Sequence, residues 1–218
     1  MSDPDFSALN RYHDNNKYGG INLKGIELTK KFVAGKLKGR SIRTADGKST
    51  RPTTDRVRES VFNLLEHNDD MPSLDGARVI DLFAGSGALG FEAISRGASF
   101  CLFVEIAAGA RGIIRENIEE FQLFGITRIH RRSATDLGKK PAGLSDPFDL
   151  VFLDPPYNQG LVAPALRQLE YGEWITPDAV AIVETHAEEE LEITNWEQLD
   201  ERPYGDTKVR IYRYSPQA

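Results

Sequence analysis

A glycine-rich turn that follows an apolar run is the stretch of this sequence with the clearest capacity for chemistry. It occupies residues 79–90 (VIDLFAGSGALG). The apolar run is short enough to be a parallel strand covered on both faces, and glycines let the following backbone approach a ligand closely. The glycines match the spacing GxGxxG, and Glu105 lies 20 residues past Gly85, where an acid would take ribose hydroxyls. This pattern predicts an adenosine cofactor without separating a nicotinamide from other kinds.

An acid that precedes the glycines narrows the choice of cofactor. Asp81 lies inside the end of the predicted strand, where its carboxylate would repel a pyrophosphate. The same carboxylate can hold the ammonium group of an amino-acid moiety. Asp81 therefore favours S-adenosylmethionine, a donor that combines an adenosine with an amino acid.

A second candidate motif, Asp154-Pro155-Pro156-Tyr157, ends the apolar run 148–153. Each proline fixes its own φ and restricts the residue before it, so the motif is stiff. In a methyl transfer to an exocyclic amine, the Asp154 carboxylate and the Pro155 carbonyl can accept the two N–H bonds and orient the nitrogen lone pair. Tyr157 can stack on a base removed from its helix. The alternative interpretation is a strand-terminating turn with a half-buried tyrosine.

These motifs need a scaffold that brings distant parts of the chain together, and strands alternate with helices after residue 76. The alternation predicts an α/β fold with a doubly wound, mostly parallel sheet and an antiparallel hairpin at one edge. The predicted strands are 78–81, 100–105, 128–131, 148–153, 179–185, 196–202 and 208–214, and the predicted helices are 88–96, 108–124 and 161–171. Ligands bind beyond the carboxyl ends of such strands, so Asp81, Glu105 and Asp154 should converge on one cleft.

Basic residues are concentrated in one segment of a chain whose net charge is −6. Residues 24–58 contain eleven Lys or Arg and three acids, a local balance of +8. A basic segment on an acidic body is typical of a local nucleic-acid footprint. The alternative is a solvated edge whose lysines oppose aggregation.

Two elements are predicted within this basic segment. Short β-like runs at 26–29 and 31–33, together with Gly35 and Gly39, predict a small twisted hairpin. A helix follows, with Thr54 or Asp55 as its N-cap and its arginines on the outward faces. Outward arginines with hydroxyls between them can contact phosphates, although such a face can also be merely solvated.

The 218 residues suffice for one large α/β domain with a small appendage. We divide the chain into a flexible tail (1–20), a basic N-terminal extension that recognises RNA (21–72) and a catalytic domain (73–218). The single Cys101 lies in a strand pattern and is predicted to be a core residue. No signal segment or membrane-length apolar run is present, which predicts a cytoplasmic location without membrane contact. The four histidines are scattered, so no metal site is predicted.

Three stretches resemble the bacterial small-subunit ribosomal RNA guanine-N2 methyltransferase D family. They are 50–65 (TRPTTDRVRESVFNLL), 81–90 together with Glu105, and 154–157, and they follow the family's order and approximate spacing. The Arg-Pro-Thr stretch at 51–59 (RPTTDRVRE) is the most specific to the family. The resemblance implies a Rossmann-like class I methyltransferase fold with a seven-stranded sheet. It also implies S-adenosylmethionine as donor, and a monomer that acts on small-subunit ribosomal RNA or an assembling subunit.

The resemblance and the residues together give three sets of expected site residues. The catalytic set is Asp154, Pro155 and Tyr157. The donor-binding set is Asp81, Phe83, Ala84, Gly85, Ser86, Gly87, Glu105, Ser133, Ala134 and Asp154. The RNA-binding set is Lys36, Lys38, Arg40, Arg51, Thr53, Arg56 and Arg58. Ser133 stands where the family usually has Asp or Asn for the adenine amino group, and Asp136 follows three residues later.

Three other functions remain open from the sequence. Methylation of a DNA base amine would use the same Asp-Pro-Pro-Tyr chemistry, but the Arg-Pro-Thr stretch favours RNA. A nicotinamide oxidoreductase would explain the glycines and leave residues 154–157 without a use. A non-catalytic ribosome-assembly factor would need only the basic segment, whereas Asp81, Glu105 and Asp154 indicate an intact catalytic site.

Overall fold

The computed structural model describes residues 26–45, 52–68, 71–144 and 146–216. The proposed tail at 1–20 lies outside this range. The strands are β1 (Ile26–Lys31), β2 (Ser41–Ala45), β3 (Arg78–Leu82), β4 (Phe100–Val104), β5 (Thr127–His130), β6 (Phe148–Leu153), β7 (Ile175–His186), β8 (Trp196–Tyr204) and β9 (Thr207–Tyr214). The helices are α1 (Pro52–His67), α2 (Ala88–Ser95), α3 (Ala108–Phe121) and α4 (Val162–Tyr171).

The main sheet has seven strands in the order β5-β4-β3-β6-β7-β9-β8. Strands β5, β4, β3, β6 and β7 run parallel to one another, and helices cross over from β3 to β4, from β4 to β5 and from β6 to β7. Strands β8 and β9 form an antiparallel hairpin that pairs with β7 at one edge. This arrangement confirms the predicted doubly wound sheet with an antiparallel edge.

The N-terminal elements differ from the prediction in two places. Strand β1 continues to Lys31, and its antiparallel partner is β2 rather than the run 31–33. The chain turns between them through Gly35 and Gly39, both with positive φ. Helix α1 begins at Pro52, ahead of the predicted caps, because proline already has a helical φ and needs no N–H at the first helical position.

Apolar side chains cover both faces of the main sheet, as expected for parallel strands. One cluster contains Val79 of β3 and lies under α1, α2 and α3. The other contains Ile80 and lies under α4. Side chains alternate between faces along a strand, so consecutive residues enter different clusters. Cys101 is fully buried, which confirms its predicted place in the core.

The β1–β2 hairpin is fixed to α2 by buried polar contacts. The Glu92 carboxylate accepts hydrogen bonds of 3.2 Å from the amides of Val33 and Ala34. The Ser95 hydroxyl accepts a bond of 3.0 Å from the Leu37 amide and donates one of 2.6 Å to the Ala34 carbonyl. The hairpin backbone lies so close to α2 that a Cβ at position 35 would stand 1.7 Å from the Ser95 carbonyl oxygen. The hairpin and α1 share one core cluster with α2 and α3, so they pack directly on the rest of the fold. The proposed domain boundary near residue 72 stays a prediction.

A buried amide connects the hairpin to the glycine-rich turn. Asn117 of α3 is fully buried and exchanges two hydrogen bonds with the backbone of Arg43, of 2.9 and 3.1 Å. Its Nδ2 also donates to the Ser86 carbonyl at 3.4 Å. The basic hairpin and the turn are therefore held by the same side chain. Across the described part of the chain, no helix combines the length and apolar character needed to cross a membrane.

Candidate functional site

The predicted acids lie at the carboxyl ends of three adjacent strands of the main sheet. Asp81 belongs to β3, Glu105 follows β4 and Asp154 follows β6. The strand ends are level, because Leu82 pairs in register with both Val104 and Leu153. Parallel strands present their carboxyl ends at one edge, which brings these three acids to the same side of the sheet.

A cavity of about 210 Å³ lies at this edge, between the sheet and α1. Its floor is apolar and is formed by side chains of the sheet and of α1. Its polar lining includes Asp81, Asp154, Glu184 and Arg58. The glycine-rich turn closes one side. Of the predicted donor-binding residues, Asp81, Phe83, Ala84, Gly85, Ser86 and Asp154 line the cavity.

Packing inside the protein also requires two of the glycines of this turn. Gly85 and Gly87 have φ of 54° and 81°, where side chains are unfavourable. A Cβ at Gly87 would lie 2.7 Å from the ring of Phe91. A Cβ at Gly90 would lie 2.5 Å from both the sulfur of Cys101 and the Phe103 ring. Gly87 and Gly90 are therefore required by packing against α2 and β4.

Asp81 is a buried carboxyl group at the wall of the cavity. Its Oδ2 accepts a hydrogen bond of 3.0 Å from the amide of Gly90, the third residue of α2. Burial raises the pKa of Asp81 from 3.8 to about 7, the Gly90 amide lowers it, and the negative charge of Glu105 raises it further. A cation that entered the cavity beside Asp81 would restore the ionised form.

Glu105 holds the ends of β3 and β4 together. Its Oε2 accepts a hydrogen bond of 2.8 Å from the amide of Gly85, and its Oε1 accepts one of 2.7 Å from the amide of Ala107. Buried Arg111 donates to the carbonyls of Glu105 and Ile106. The Ile106 side chain, which sequence reasoning missed, is 63% exposed next to this acid.

The segment after β5 lies on the far side of Glu105 from Asp81. Ser133 is half-buried, and its hydroxyl lies 2.8 Å from that of Thr135. Ala134 is buried in the cluster under α4. Neither residue lines the cavity, so the structure brings Ser133 to the same sheet edge as Asp81 but not into the same enclosed space.

In the Asp-Pro-Pro-Tyr motif the acid lies at the cavity and the tyrosine is held by hydrogen bonds. Asp154 is exposed at the cavity and Pro155 is buried. The hydroxyl of half-buried Tyr157 donates to Oε1 of Glu184 at 3.1 Å and lies 3.0 Å from Oγ1 of Thr207. Burial raises the pKa of Tyr157 to about 12; the Thr207 contact lowers it, while the charges of Glu184 and Asp154 raise it. The tyrosine therefore stays protonated at neutral pH.

The predicted RNA-binding residues lie in several different environments. Lys36, Lys38 and Arg56 are exposed. Arg40 is exposed too, but its guanidinium lies 4.7 Å over the Phe121 ring and donates to the Glu120 carbonyl at 3.0 Å. Arg51 and the side chain of Thr53 lie outside the described residues.

The expectation that Arg58 points outward is wrong. Arg58 is buried, and its Nη2 donates to the Lys31 carbonyl at 3.0 Å. It lines the cavity on the side of α1, because it neighbours Val57 on the face that packs on the sheet. Its positive charge therefore faces the site and not the outer surface.

Comparison with known proteins places this geometry in a family. The family described as "Conserved hypothetical protein 95" matches residues 30–213. YlbH of Bacillus subtilis is 36% identical over 185 residues, which cover 84% of this chain and 98% of YlbH. The "Ribosomal RNA small subunit methyltransferase D" of Haemophilus influenzae is 34% identical over 186 residues, covering 84% of this chain and 93% of that protein.

A solved structure agrees with these sequence relatives. The structure of yhhF from Escherichia coli has a TM-score of 0.72 to this chain at 32% identity, and the match covers 86% of this chain and 99% of yhhF. Both the family match and the relatives span most of the chain, which confirms the resemblance found in the sequence. The chain therefore belongs to the small-subunit ribosomal RNA methyltransferase D family.

Proposed function

We propose that this chain transfers a methyl group from S-adenosylmethionine to the exocyclic N2 amine of a guanine in small-subunit ribosomal RNA. The observation that carries the proposal is that Asp81 and Asp154, from neighbouring strands, line one cavity beside the glycine-rich turn. One carboxylate suits the ammonium of the donor, and the other suits the amine of the acceptor. A methyltransferase must hold its methyl donor and its acceptor amine close together, and two such carboxylates in one small cavity would do this.

The residues fit the donor in two parts. The cavity of about 210 Å³ is below the ~300 Å³ of ordinary small-molecule pockets, so it suits only the amino-acid and methyl end. Asp81 supports the placement of the amino-acid end here, because a buried carboxyl group with a raised pKa is stabilised in its ionised form by a cationic partner such as the donor ammonium. We assign the adenosine to the open edge beyond Glu105, where exposed Ile106 offers an apolar surface for the base. When bound, the donor supplies an electrophilic methyl group.

Asp154 acts on the acceptor by orientation. Its carboxylate accepts an N–H of the guanine N2 amine, and the rigid Pro155 carbonyl accepts the other. The nitrogen lone pair then points towards the methyl group. As the C–N bond forms, the C–S bond breaks and the amine loses one proton. Asp154 is exposed and passes this proton to solvent.

Exposed basic residues near the hairpin and α1 support binding to RNA phosphates. Lys36 and Lys38 are exposed on the hairpin turn. Arg56 lines a groove between α1 and the β8 edge, with Arg202 opposite.

We propose that the enzyme works as a cytoplasmic monomer on free ribosomal RNA or an assembling subunit. Only four large apolar side chains of the described residues are exposed, and this small number supports a monomer; they are Ile106, Phe124, Ile126 and Tyr171.

Incubation with radiolabelled S-adenosylmethionine tests the proposal. The acceptors are unmodified small-subunit RNA, small subunits, large-subunit RNA and duplex DNA, and mass spectrometry of nuclease fragments identifies the modified base. We expect label in N2-methylguanine of small-subunit RNA or subunits. Label in DNA only, or in a base other than guanine, would contradict the assignment. Monomeric mass in light scattering checks the oligomeric state.

A further inference from the structure

Glu184 is an acid at the cavity that no motif of the sequence marks. It follows Val183 in β7, as Asp154 follows Leu153 in β6, and Val183 and Leu153 are paired in register. Residues at equivalent positions of neighbouring parallel strands lie on the same face of a sheet. Both acids line the cavity. The acceptor side of the site therefore has two carboxylates, one directly after the end of β6 and one within β7, two residues before that strand ends.

The position of Glu184 is fixed by the element that carries the proposed catalytic acid. Tyr157 donates its hydroxyl to Oε1 of Glu184 at 3.1 Å, and the same hydroxyl lies 3.0 Å from Oγ1 of Thr207. A carboxylate offers about four acceptor positions, and Tyr157 uses one. Glu184 is half-buried, so its orientation is set while part of it stays accessible from the cavity.

Two adjacent carboxylates match the edge of guanine and no other common base. Guanine presents two neighbouring donor groups on its Watson–Crick edge, the ring N1–H and the N2 amine. Adenine and cytosine present a ring-nitrogen acceptor beside their amine, which a carboxylate would repel. Uracil has one N–H between two carbonyls. A carboxylate pair can therefore select the base by the hydrogen bonds it accepts.

We propose that Glu184 determines specificity for guanine by accepting the ring N1–H while Asp154 accepts the N2 amine. This inference rests on the proposed function. It gives Tyr157 a second role, since its hydroxyl orients the Glu184 carboxylate. Buried Arg58 lines the same cavity.

Replacement of the target guanine by 2-aminopurine tests the inference. This base keeps the amine at position 2 but has an acceptor at N1 in place of the N–H. Once wild-type enzyme has located the target, RNA carrying either base there is prepared by ligation, and kcat/KM is measured for each. Wild type should prefer guanine by about 10-fold or more, since a charged acceptor faces a lone pair in the analogue. Glu184→Gln can donate its amide to N1, so its preference should fall about 10-fold relative to wild type.

Tyr157→Phe is the matched control, because it removes the anchor of Glu184 and keeps the carboxylate. It should keep a larger part of the preference for guanine than Glu184→Gln does, since the acceptor group is still present. Donor affinity, measured by calorimetry, should be unchanged in Glu184→Gln. If wild type methylates guanine RNA and Glu184→Gln keeps the full preference, Glu184 does not read the base and the inference is wrong. If wild type transfers no methyl to guanine in any RNA, the proposed function itself fails.

Discussion

The carboxylate of Glu105 and the amide of Gly85 are joined by a hydrogen bond of 2.8 Å that links the end of β4 to the glycine-rich turn. The acid expected to bind ribose hydroxyls thus also shapes the turn in the donor-free protein. Glu105→Ala should lower both the free energy of unfolding and the affinity for S-adenosylmethionine. Each lost charge-assisted bond is worth about 1.5–3 kcal/mol. Urea unfolding and calorimetry measure the two losses separately.

Glu105→Gln separates these two roles of the acid. Its amide oxygen can still accept the Gly85 amide, but its NH₂ faces the Ala107 amide, which is also a donor. It should recover part of the stability and less of the donor affinity. If Glu105→Ala binds the donor as wild type does, the ribose assignment is wrong.

The raised pKa of Asp81 predicts a pH-dependent stability. Between pH ~4 and ~7 the folded protein keeps a proton on Asp81 that the unfolded chain has lost. The free energy of unfolding should therefore fall as the pH rises through this window, by up to about 4 kcal/mol. Asp81→Asn should remove this dependence and be more stable than wild type above pH ~7. Parallel pH profiles for the two proteins would contradict the assignment.

Donor binding should show the opposite trend with pH. If Asp81 holds the donor ammonium, the ionised carboxylate binds it, so affinity should increase as the pH rises through about 7. Calorimetry in buffers of different ionisation enthalpy should detect release of a proton on binding. Asp81→Asn should bind weakly at every pH. A donor affinity that is independent of pH in wild type would argue against this contact.

Asp154→Ala should abolish turnover and leave donor affinity nearly unchanged. The role proposed for this exposed carboxylate is to orient the acceptor amine, so its loss should affect the transition state and not the donor complex. Single-turnover methyl transfer and donor calorimetry measure the two effects. Asp154→Asn, which keeps size and one acceptor oxygen, is the control for shape. Loss of donor binding in both variants would place Asp154 in the donor site instead.

Tyr157 can be dissected by two substitutions. Tyr157→Ala should weaken RNA binding by about 1–3 kcal/mol if its ring stacks on the base. Tyr157→Phe keeps the ring, but it should cost about 0.5–1.5 kcal/mol of stability for each hydrogen bond lost to Glu184 or Thr207. Filter binding and urea unfolding distinguish the two effects. Equal loss of RNA affinity in both variants would assign the effect to the hydroxyl.

The exposed basic residues should control the salt dependence of RNA binding. Each phosphate contact on a single strand contributes about −0.7 to the slope of log K against log salt. Arg56→Ala and Lys36→Ala should each weaken RNA binding and flatten the slope by about that amount. Lys139→Ala is a matched control, because Lys139 is an exposed lysine outside the basic segment and pairs with Glu173, just after α4. Unchanged slopes for both test variants would remove the basic segment from the RNA interface.

The sequence predicted the sheet well, because its strands are apolar runs of fixed length separated by helices. Strand β6 was predicted with its observed bounds, 148–153. Strand β7 is longer than predicted and begins at Ile175, which pairs with Phe148 of β6. Residues 176–179, the first three of which carry no strand pattern, form an irregularity before the pairing resumes at Val180. Local pattern therefore located the strands, and pairing decided where they end.

The site was predictable only where a motif marks it. Asp81 and Asp154 stand next to glycines or prolines, which signal a special backbone. Glu184 is a single acid within an ordinary strand, and only the pairing of β7 with β6 reveals its role. Arg58 was misjudged because it directly follows Val57 in the helix, and the helix packs on a face wide enough to bury both. Such distinctions depend on tertiary packing.

The close contact between Gly35 and the Ser95 carbonyl limits which β1–β2 hairpins can be exchanged among related proteins. A hairpin taken from a relative will dock on this body only if it carries glycine where its turn meets the end of α2. Any larger residue there would tilt the transplanted strands and carry their lysines away from the cleft. Exposed Lys36 and Lys38 can then be exchanged, whereas Arg40 and Arg43 contact α3 and must be kept. Such chimaeras would test the proposed RNA-binding role of the hairpin one module at a time.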